Sequence, residues 1–425
     1  MHLTSLTAYQ QRMWEAECVV RGYPILHTGI TLQVEGALDP DRLARAVENA
    51  FGRHELLCTG FRADGDTLHT GPAPAHTLRV LHHPELSLSA PDQAAVRERV
   101  EELSGELFPF TGEAAARAFL LLPAGDHALL VLSFHRLVMD LHSLHQVVTD
   151  ITDAYRTDEP LPPAQPYSEL LARRMRRRTE DLEFWRTELT GCPAPWLGNL
   201  RPEDDWTPRG AEVRRTLGAE FASVVRANAR AARCTPVVHV IAAAATAALS
   251  LSGTADLTVA TMADRRMASD AVGPLAQALL TRVGGAAPHG AEGVLAQVRR
   301  GLREGMAHQG VEFEEIAAML AEEMGVERDG VAPLTVGVSP RPCAVSAGAV
   351  SFTEFDPYPE DARILVGGGQ LDVDVRLDDD EPLLTVQYDQ ESYTPEWCET
   401  FADELLKELE RPPGTRLRSR PGTRR

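Results

Sequence analysis

Two histidines, an arginine and an aspartate lie close together in the stretch SFHRLVMDLHS, residues 133–143. A neutral imidazole accepts a proton near pH 7, so His135 or His142 could take part in acid–base chemistry. Arg136 cannot act in that way, because a guanidinium has a pKa above about 12 and stays protonated. Its chemistry would be to hold an oxyanion, a carboxylate or a phosphate by charge-assisted hydrogen bonds.

Other common catalytic signatures are missing from the sequence. It contains no GxSxG, no HExxH and no glycine-rich phosphate loop followed by Lys and Ser or Thr. The six cysteines are scattered without CxxC or Cys/His spacing, which predicts neither a zinc site nor a disulfide framework. We therefore expect no metal and no bound cofactor, and a reducing cytoplasm is the simplest location.

The local sequence predicts the elements that position the four residues. The apolar run HALLVLSFH, residues 127–135, indicates a buried strand. A helix is predicted to begin at Ser143, which with Gln146 fits a capping box, and to end near Tyr155. Arg136 and Asp140 would then lie on a short loop at the end of a strand, a common place for a functional site.

Further along, strand-like and helical segments alternate in both halves of the chain, which predicts an α/β layered fold. A strand is expected at Ile25–Val34, and helices after Asp39, from about Ala90 to Leu107 with Ser89 as N-cap, and at Pro236–Leu251. A length of 425 residues favours two lobes. The expected divisions are residues 1–158, a linker and connecting helix at 159–180, residues 181–411, and a disordered basic tail at 412–425.

Charge and composition restrict the partners. A net charge of -20 argues against nucleic-acid binding, which needs a basic surface. The N-terminus has no basic leader followed by an apolar stretch, and the most apolar segment, residues 237–253, is short for a bilayer span, so we expect neither export nor a membrane anchor. The basic run at Arg173–Arg178 is interpreted as a solvated helix face, with docking of an acidic partner as the alternative.

Seven segments, in order over most of the chain, resemble the core motifs of the condensation domains of nonribosomal peptide synthetases. They are LTAYQQRMW at 6–14, RHELLCTGF at 53–61, SFHRLVMDLHS at 133–143, GTADLTVATMADRR at 253–266, VGPLAQALLTRV at 272–283, AHQGVEFEEI at 307–316 and LLTVQYDQESYTPE at 383–396. The resemblance implies two lobes similar to chloramphenicol acetyltransferase, set in a V, with a tunnel between them. It also implies a peptidyl or acyl carrier protein as partner, which would deliver the substrate on phosphopantetheine.

The resemblance assigns a role to each residue of the HHxxxDG-like stretch. His135 corresponds to the first, structural histidine of that motif, whereas Arg136 occupies the position of the catalytic histidine. The aspartate of the motif, here Asp140, would pair with an arginine of the second lobe, matched here by Arg282. With Ser143 these residues would form the structural part of the site. Leu141 replaces a glycine that permits a tight turn, which predicts a restricted turn and a narrower tunnel.

The sequence is compatible with three hypotheses about function. His142 is the sharpest candidate for a replacement base, ahead of His145 and His308. The chain could be an enzyme of unorthodox mechanism that forms an amide or ester, or cyclises a carrier-bound substrate, with Arg136 orienting or polarising it. Its HRxxxDxxS pattern also resembles that of X-domains, which imply a non-catalytic module that recruits a cytochrome oxygenase. A scaffold without either activity is the third hypothesis.

Overall fold

The computed structural model describes residues 5–88, 93–125, 127–192, 210–266, 269–284, 291–324, 331–339, 343–355, 371–379, 381–390 and 392–413. The chain divides into two compact units, and each combines helices with a six-stranded sheet. The predicted α/β fold is confirmed.

The first unit contains Met1–Arg176 and two segments from later in the chain, Asp264–Gln277 and Pro342–Ala362. Its helices are α1 (Ala8–Val19), α2 (Pro40–Gly52), α3 (Ala94–Ser104), α4 (Leu141–Thr157) and α5 (Tyr167–Arg174). Its strands are β1 (His27–Glu35), β2 (Thr59–Asp64), β3 (Thr67–Pro72), β4 (Leu78–Ser87), β5 (Thr111–Ala114), β6 (Ala116–Ala124), β7 (Ala128–His135), β12 (Ala344–Ala347) and β13 (Val350–Glu354). The large sheet has the order β12-β13-β1-β7-β6-β4, and the small sheet has the order β3-β2-β5.

Strand β7 lies inside the large sheet and carries the site loop at its end. All eight of its residues are buried, which explains its nearly continuous apolar sequence. Leu129 and Val131 pack in a cluster with Val96 and Val100 of α3, while the alternate residues Leu130 and Leu132 belong to the main core. Because side chains pack on both faces of β7, the end of the strand is held in place. The residues of the site loop follow directly after it.

Helix α4 begins earlier than predicted. Asp140, not Ser143, is the N-cap, and its side chain accepts a hydrogen bond from the Ser143 amide at 2.8 Å. The predicted capping box is therefore wrong, because the Ser143 hydroxyl bonds the backbone of Gly273 instead. The helix continues to Thr157 and ends at Asp158, which has a left-handed conformation.

The other predicted elements can be compared in the same way. The strand expected at Ile25–Val34 is β1, and the helix expected after Asp39 is α2, which has Asp39 as its N-cap. Helix α3 begins at Ala94, whereas its predicted cap, Ser89, falls outside the described residues. The predicted tail lies outside them from residue 414 onward.

The second unit contains Arg177–Ala263, Ala278–Arg341 and Arg363–Arg425. Its helices are α6 (Arg178–Leu189), α7 (Phe221–Ala231), α8 (Pro236–Ser252), α9 (Ala291–Ala307), α10 (Phe313–Met324) and α11 (Pro395–Glu410). Its strands are β8 (Gly210–Thr216), β9 (Asp256–Asp264), β10 (Ala276–Gly284), β11 (Leu334–Gly337), β14 (Leu371–Arg376) and β15 (Leu383–Asp389), in the sheet order β10-β9-β11-β14-β15-β8. The alanine-rich helix α8 belongs to its core.

This division differs from the contiguous lobes expected from the sequence. The second lobe was expected to be continuous over 181–411, but residues 264–277 and 342–362 belong to the first unit. The second of these segments supplies β12 and β13, and β13 pairs with β1. Within the described residues, no single helix has the length and apolar composition to cross a membrane, and only the bent pair α7–α8 meets both criteria jointly.

Candidate functional site

Arg136 is the first residue after β7, and its side chain is exposed. Its backbone amide donates to the Leu26 carbonyl at 2.9 Å, and the Val138 amide donates to the His135 carbonyl at 3.0 Å, so the turn is held by the main chain. Among the described residues, no hydrogen bond or ion pair engages the Arg136 guanidinium. A permanent cation therefore faces solvent from a fixed backbone.

His135 points the other way and is completely buried. The Leu137 amide donates to its Nδ1 at 3.1 Å, which leaves the ring proton on Nε2, 3.4 Å from a carboxylate oxygen of Glu17. The ring of Phe110 meets the imidazole edge-on, with centroids 5.4 Å apart. Both ring nitrogens are occupied, and this geometry suits a positioning residue rather than a proton acceptor for a substrate.

Asp140 is the centre of the hydrogen-bond network that follows the turn. Its Oδ1 accepts from the Ser143 amide at 2.8 Å and from Arg266 Nη2 at 2.7 Å. Its Oδ2 accepts from the amides of Leu275 and Ala276 at 2.9 and 2.7 Å. Four donors thus surround one carboxylate, which ties the start of α4 to the segment Asp264–Gln277.

The pairing of Asp140 with Arg282 is wrong, because Arg266 is its partner. The Arg266 side chain is 2% exposed and also bonds the carboxylate of Asp264 at 2.7 Å. Arg282 instead bonds Asp256 at 2.6 Å and the carbonyls of Thr190 and Gly191, all within the second unit. The motif match chose the wrong arginine, because Arg266 and Arg282 both lie in segments that resemble family motifs and only the fold brings residues 264–277 into the first unit.

Ser143 helps to fix the same segment. Its hydroxyl donates to the Gly273 carbonyl and accepts from the Gly273 amide, at 2.8 and 2.9 Å, and it also contacts Arg266. A Cβ atom at Gly273 would lie 2.5 Å from the ring of Tyr167, so the close approach requires glycine. Ser143 therefore connects the start of α4 to Gly273 and Arg266, and its role in the site stays a prediction.

The remaining histidines occupy three different places. His142 is exposed at the start of α4, with Nδ1 3.6 Å from Asp264 Oδ2. His145 is half-buried. Burial lowers the pKa of its imidazole, and the negative charge of Glu354 raises the pKa by less than burial lowers it. His308 lies in the second unit, where its Nδ1 bonds the buried Asp181 at 2.9 Å. Of the three, only His142 is placed beside the Asp140–Arg266 network.

Leu141 does not strain the turn. It is the first residue of α4, and among the described residues other than glycine a positive φ occurs at Phe110, Asp158 and Arg233 but not at Leu141. The predicted restriction of the turn was therefore wrong, because Leu141 is already helical and needs no positive φ. The leucine side chain is 53% exposed, which is high for a large apolar residue.

A second anchor, which the sequence reasoning did not identify, joins the RHE stretch to the same segment. Arg53 bonds Asp150 of α4 at 2.6 Å and also contacts Asp270, while His54 Nε2 lies 2.6 Å from the other oxygen of Asp150. The pKa of the Asp150 carboxyl is lowered overall. Burial alone would raise it, but the hydrogen bond and charge of His54 and the charge of Arg53 have the larger combined effect. Glu55 accepts from the Ser168 amide and hydroxyl at 2.7 and 2.8 Å.

The family of the chain follows from sequence comparison over nearly its whole length. The family model described as the condensation domain matches residues 2–411. The chain therefore belongs to the condensation-domain family.

Two relatives are synthetases that are much longer than this chain. Phosphinothricin tripeptide synthetase PhsC of Streptomyces viridochromogenes is 30% identical over 347 residues, which is 76% of this chain and 31% of that protein. The isonitrile lipopeptide synthase of Mycobacterium tuberculosis is 26% identical over 343 residues, 74% of this chain and 13% of that protein. The chain thus spans less than a third of the length of either relative.

Solved structures show the same fold. The condensation domain of the Monacolin K polyketide synthase MokA has a TM-score of 0.78 at 19% identity, covering 96% of this chain and 97% of that one. The X-domain from teicoplanin biosynthesis has a TM-score of 0.77 at 21% identity, covering 95% and 94%. SgcC5 from Streptomyces globisporus has a TM-score of 0.73 at 21% identity, covering 95% and 97%.

Proposed function

We propose that this chain binds an acyl or peptidyl group carried on the phosphopantetheine of a carrier protein and transforms it without a proton acceptor at position 136. The reaction class is amide or ester formation, or cyclisation. The observation that carries the proposal is the exposed guanidinium of Arg136, which no described residue engages, on a loop held by hydrogen bonds from the Arg136, Leu137 and Val138 amides. Arg136 would donate hydrogen bonds to the carbonyl oxygen of the thioester as negative charge develops there.

The surrounding network supports this role because it holds the backbone of the loop still. Asp140 receives four hydrogen bonds, and His135 is locked in the core. A donor that is fixed before the reaction begins stabilises a developing oxyanion without a cost in reorganisation. The lost general base is worth roughly 10²–10⁴-fold in rate, so the acceptor must be nucleophilic without the help of the loop.

The experiment combines the protein with an acyl-loaded carrier and a set of amines and alcohols, with product analysed by mass spectrometry. We expect turnover that Arg136→Ala reduces at least about 100-fold, the size of the loss when one oxyanion donor is removed. Arg97→Ala is the matched control, since Arg97 is exposed on α3 and forms no side-chain bond with a described residue. Turnover that Arg136→Ala leaves unchanged would contradict the proposal.

A second candidate is recruitment of a tailoring oxygenase. The HRxxxD pattern at 135–140 favours it, as does similarity to an X-domain solved in complex with OxyB from teicoplanin biosynthesis. In this reading Arg136 binds the tethered peptide or the partner, and no bond is formed. No turnover, together with retention of a cytochrome oxygenase only when the carrier is loaded, would favour this candidate over the first.

A further inference from the structure

Three arginines come together in the first unit next to the loop network. Arg174 is the last residue of α5, and Arg265 and Arg266 follow the end of β9. Arg265 is 5% exposed and Arg266 is 2% exposed. Burying several guanidinium groups in one place is costly unless anions compensate their charge, so the nearby carboxylates have to be accounted for.

The carboxylates of Asp264 and Asp140, which bond Arg266, already accept several hydrogen bonds. Asp264 Oδ1 accepts from the Arg266 amide at 3.1 Å and from its Nη1 at 2.7 Å, and Oδ2 faces His142. Asp140 accepts from Arg266 and from three backbone amides. Both acids therefore bond Arg266, and among the described residues neither forms a hydrogen bond or an ion pair with Arg174.

The side chain of Arg174 shows where a further anion would bind. Its Nε and Nη2 atoms are buried, and neither has a hydrogen-bond partner among the described residues. These two nitrogens lie along one edge of the guanidinium, and their N–H bonds form the fork that matches two oxygens of a carboxylate or a phosphate. The unused donors are thus a matched pair rather than two unrelated atoms.

The electrostatic surroundings of Arg174 also favour an anion at this position. Burial lowers the pKa of Arg174 to about 10, and the charge of Arg265 adds to that effect while Asp264 opposes it. At neutral pH the guanidinium is still protonated, so a buried positive charge persists. An anion beside it would remove an unfavourable interaction as well as form new hydrogen bonds.

We propose that the fork nitrogens of Arg174, next to Arg265, form a binding site for an oxyanion, the carboxylate or phosphate group of a small ligand. Both fork nitrogens of Arg174 are shielded from solvent, so binding requires the side chain to turn outward or the segment Asp264–Gln277 to shift. Because Asp264 and Arg266 connect this site to Asp140, the bound anion would also brace the loop that carries Arg136. The site does not depend on a carrier protein or on any reaction at Arg136.

The test measures binding of sodium phosphate and sodium acetate by calorimetry, with chloride keeping the ionic strength constant. We expect the wild type to bind at least one of the two anions, and Arg174→Met to weaken its Kd at least tenfold. Arg97→Met should bind as the wild type does, and Arg174→Lys should fall between them because it keeps the charge and loses the fork. Tighter binding of phosphate assigns a phosphate ligand, and tighter binding of acetate assigns a carboxylate.

A second readout keeps the test independent of affinity. In chloride alone, Arg174→Met removes an incompletely balanced buried charge, so we expect its Tm to equal or exceed that of the wild type. A lower Tm or failure to fold would show that the guanidinium has structural partners and would overturn the proposal. Binding of neither anion by the wild type, or equal binding by Arg174→Met, would overturn it too. Since no carrier is used, failure of the proposed function leaves these results unaffected.

Discussion

Arg266 Nη2 lies 2.7 Å from Asp140 Oδ1, although the two residues are 126 positions apart in the sequence. The contact joins the N-cap of α4 to a segment that follows β9, and both partners are largely buried. This ion pair, rather than one with Arg282, sets the backbone from which Arg136 projects. Residues 264–277, which belong to the first unit, therefore supply the donors that hold Asp140 in place.

The assignment of the partner can be tested by double-mutant cycles in urea. Asp140→Asn and Arg266→Met should be coupled by about 1–3 kcal/mol, since they share a buried contact. Asp140→Asn and Arg282→Met should be additive to within about 0.5 kcal/mol, because Arg282 is engaged with Asp256. Strong coupling to Arg282 with none to Arg266 would show that the pairing described here is wrong.

The anchor at Asp150 predicts a dependence of stability on pH. The pKa of its carboxyl is lower in the folded chain than in the unfolded chain, where it is about 3.9. As pH falls, the unfolded state takes up the proton first, so the contribution of Asp150 is complete above about pH 5 and is lost as pH falls through the folded pKa. Asp150→Asn should cost about 3 kcal/mol at pH 7, because Arg53 and His54 lose the negative charge and one of the two oxygens that accept from them.

The measurement for that prediction is the free energy of unfolding of both proteins between pH 7 and pH 2. The difference between wild type and Asp150→Asn should be constant from pH 7 to about pH 5 and should shrink below about pH 4. A difference that grows as pH falls would mean that the folded pKa is raised.

The close approach of Gly273 to Tyr167 predicts a cost for a single methyl group. Gly273→Ala should destabilise the chain by about 1–3 kcal/mol, since the new Cβ would overlap the ring. Gly52→Ala is the control, because nothing lies within 4 Å of its Cβ position at the end of α2, and it should be neutral or stabilise by about 0.5 kcal/mol. Equal melting temperatures for the two variants would contradict the packing described here.

The sequence alone was sufficient for the local part of the site. An apolar run followed by polar residues defined β7 and its loop, because a strand that is buried on both faces has apolar side chains at consecutive positions. The start of α4 was misplaced because Asp140 and Ser143 are both good N-caps, and the choice depends on Gly273, which is far away in sequence. The local sequence also placed Arg136 on the loop that follows β7, but its exposure became known only from the fold.

The partners of buried charges could not be predicted in the same way. Arg266 and Arg282 are both arginines near the ends of strands, and no local pattern distinguishes them. What distinguishes them is that residues 264–277 join the first unit, which is a consequence of tertiary packing. The same holds for Asp150 and Asp270, whose sequence neighbours give no sign of the contacts with Arg53.

The most direct test of the account concerns contact between Arg136 and the tethered acyl group. It compares the Kd of the protein for an acyl-loaded carrier with the Kd for the same carrier bearing phosphopantetheine alone. We predict that the wild type prefers the loaded carrier and that Arg136→Ala lowers this preference at least about tenfold, the loss expected for a charge-assisted hydrogen bond. Arg97→Ala should keep it. An Arg136→Ala protein that retains the full preference would contradict the claim that this cation meets the substrate.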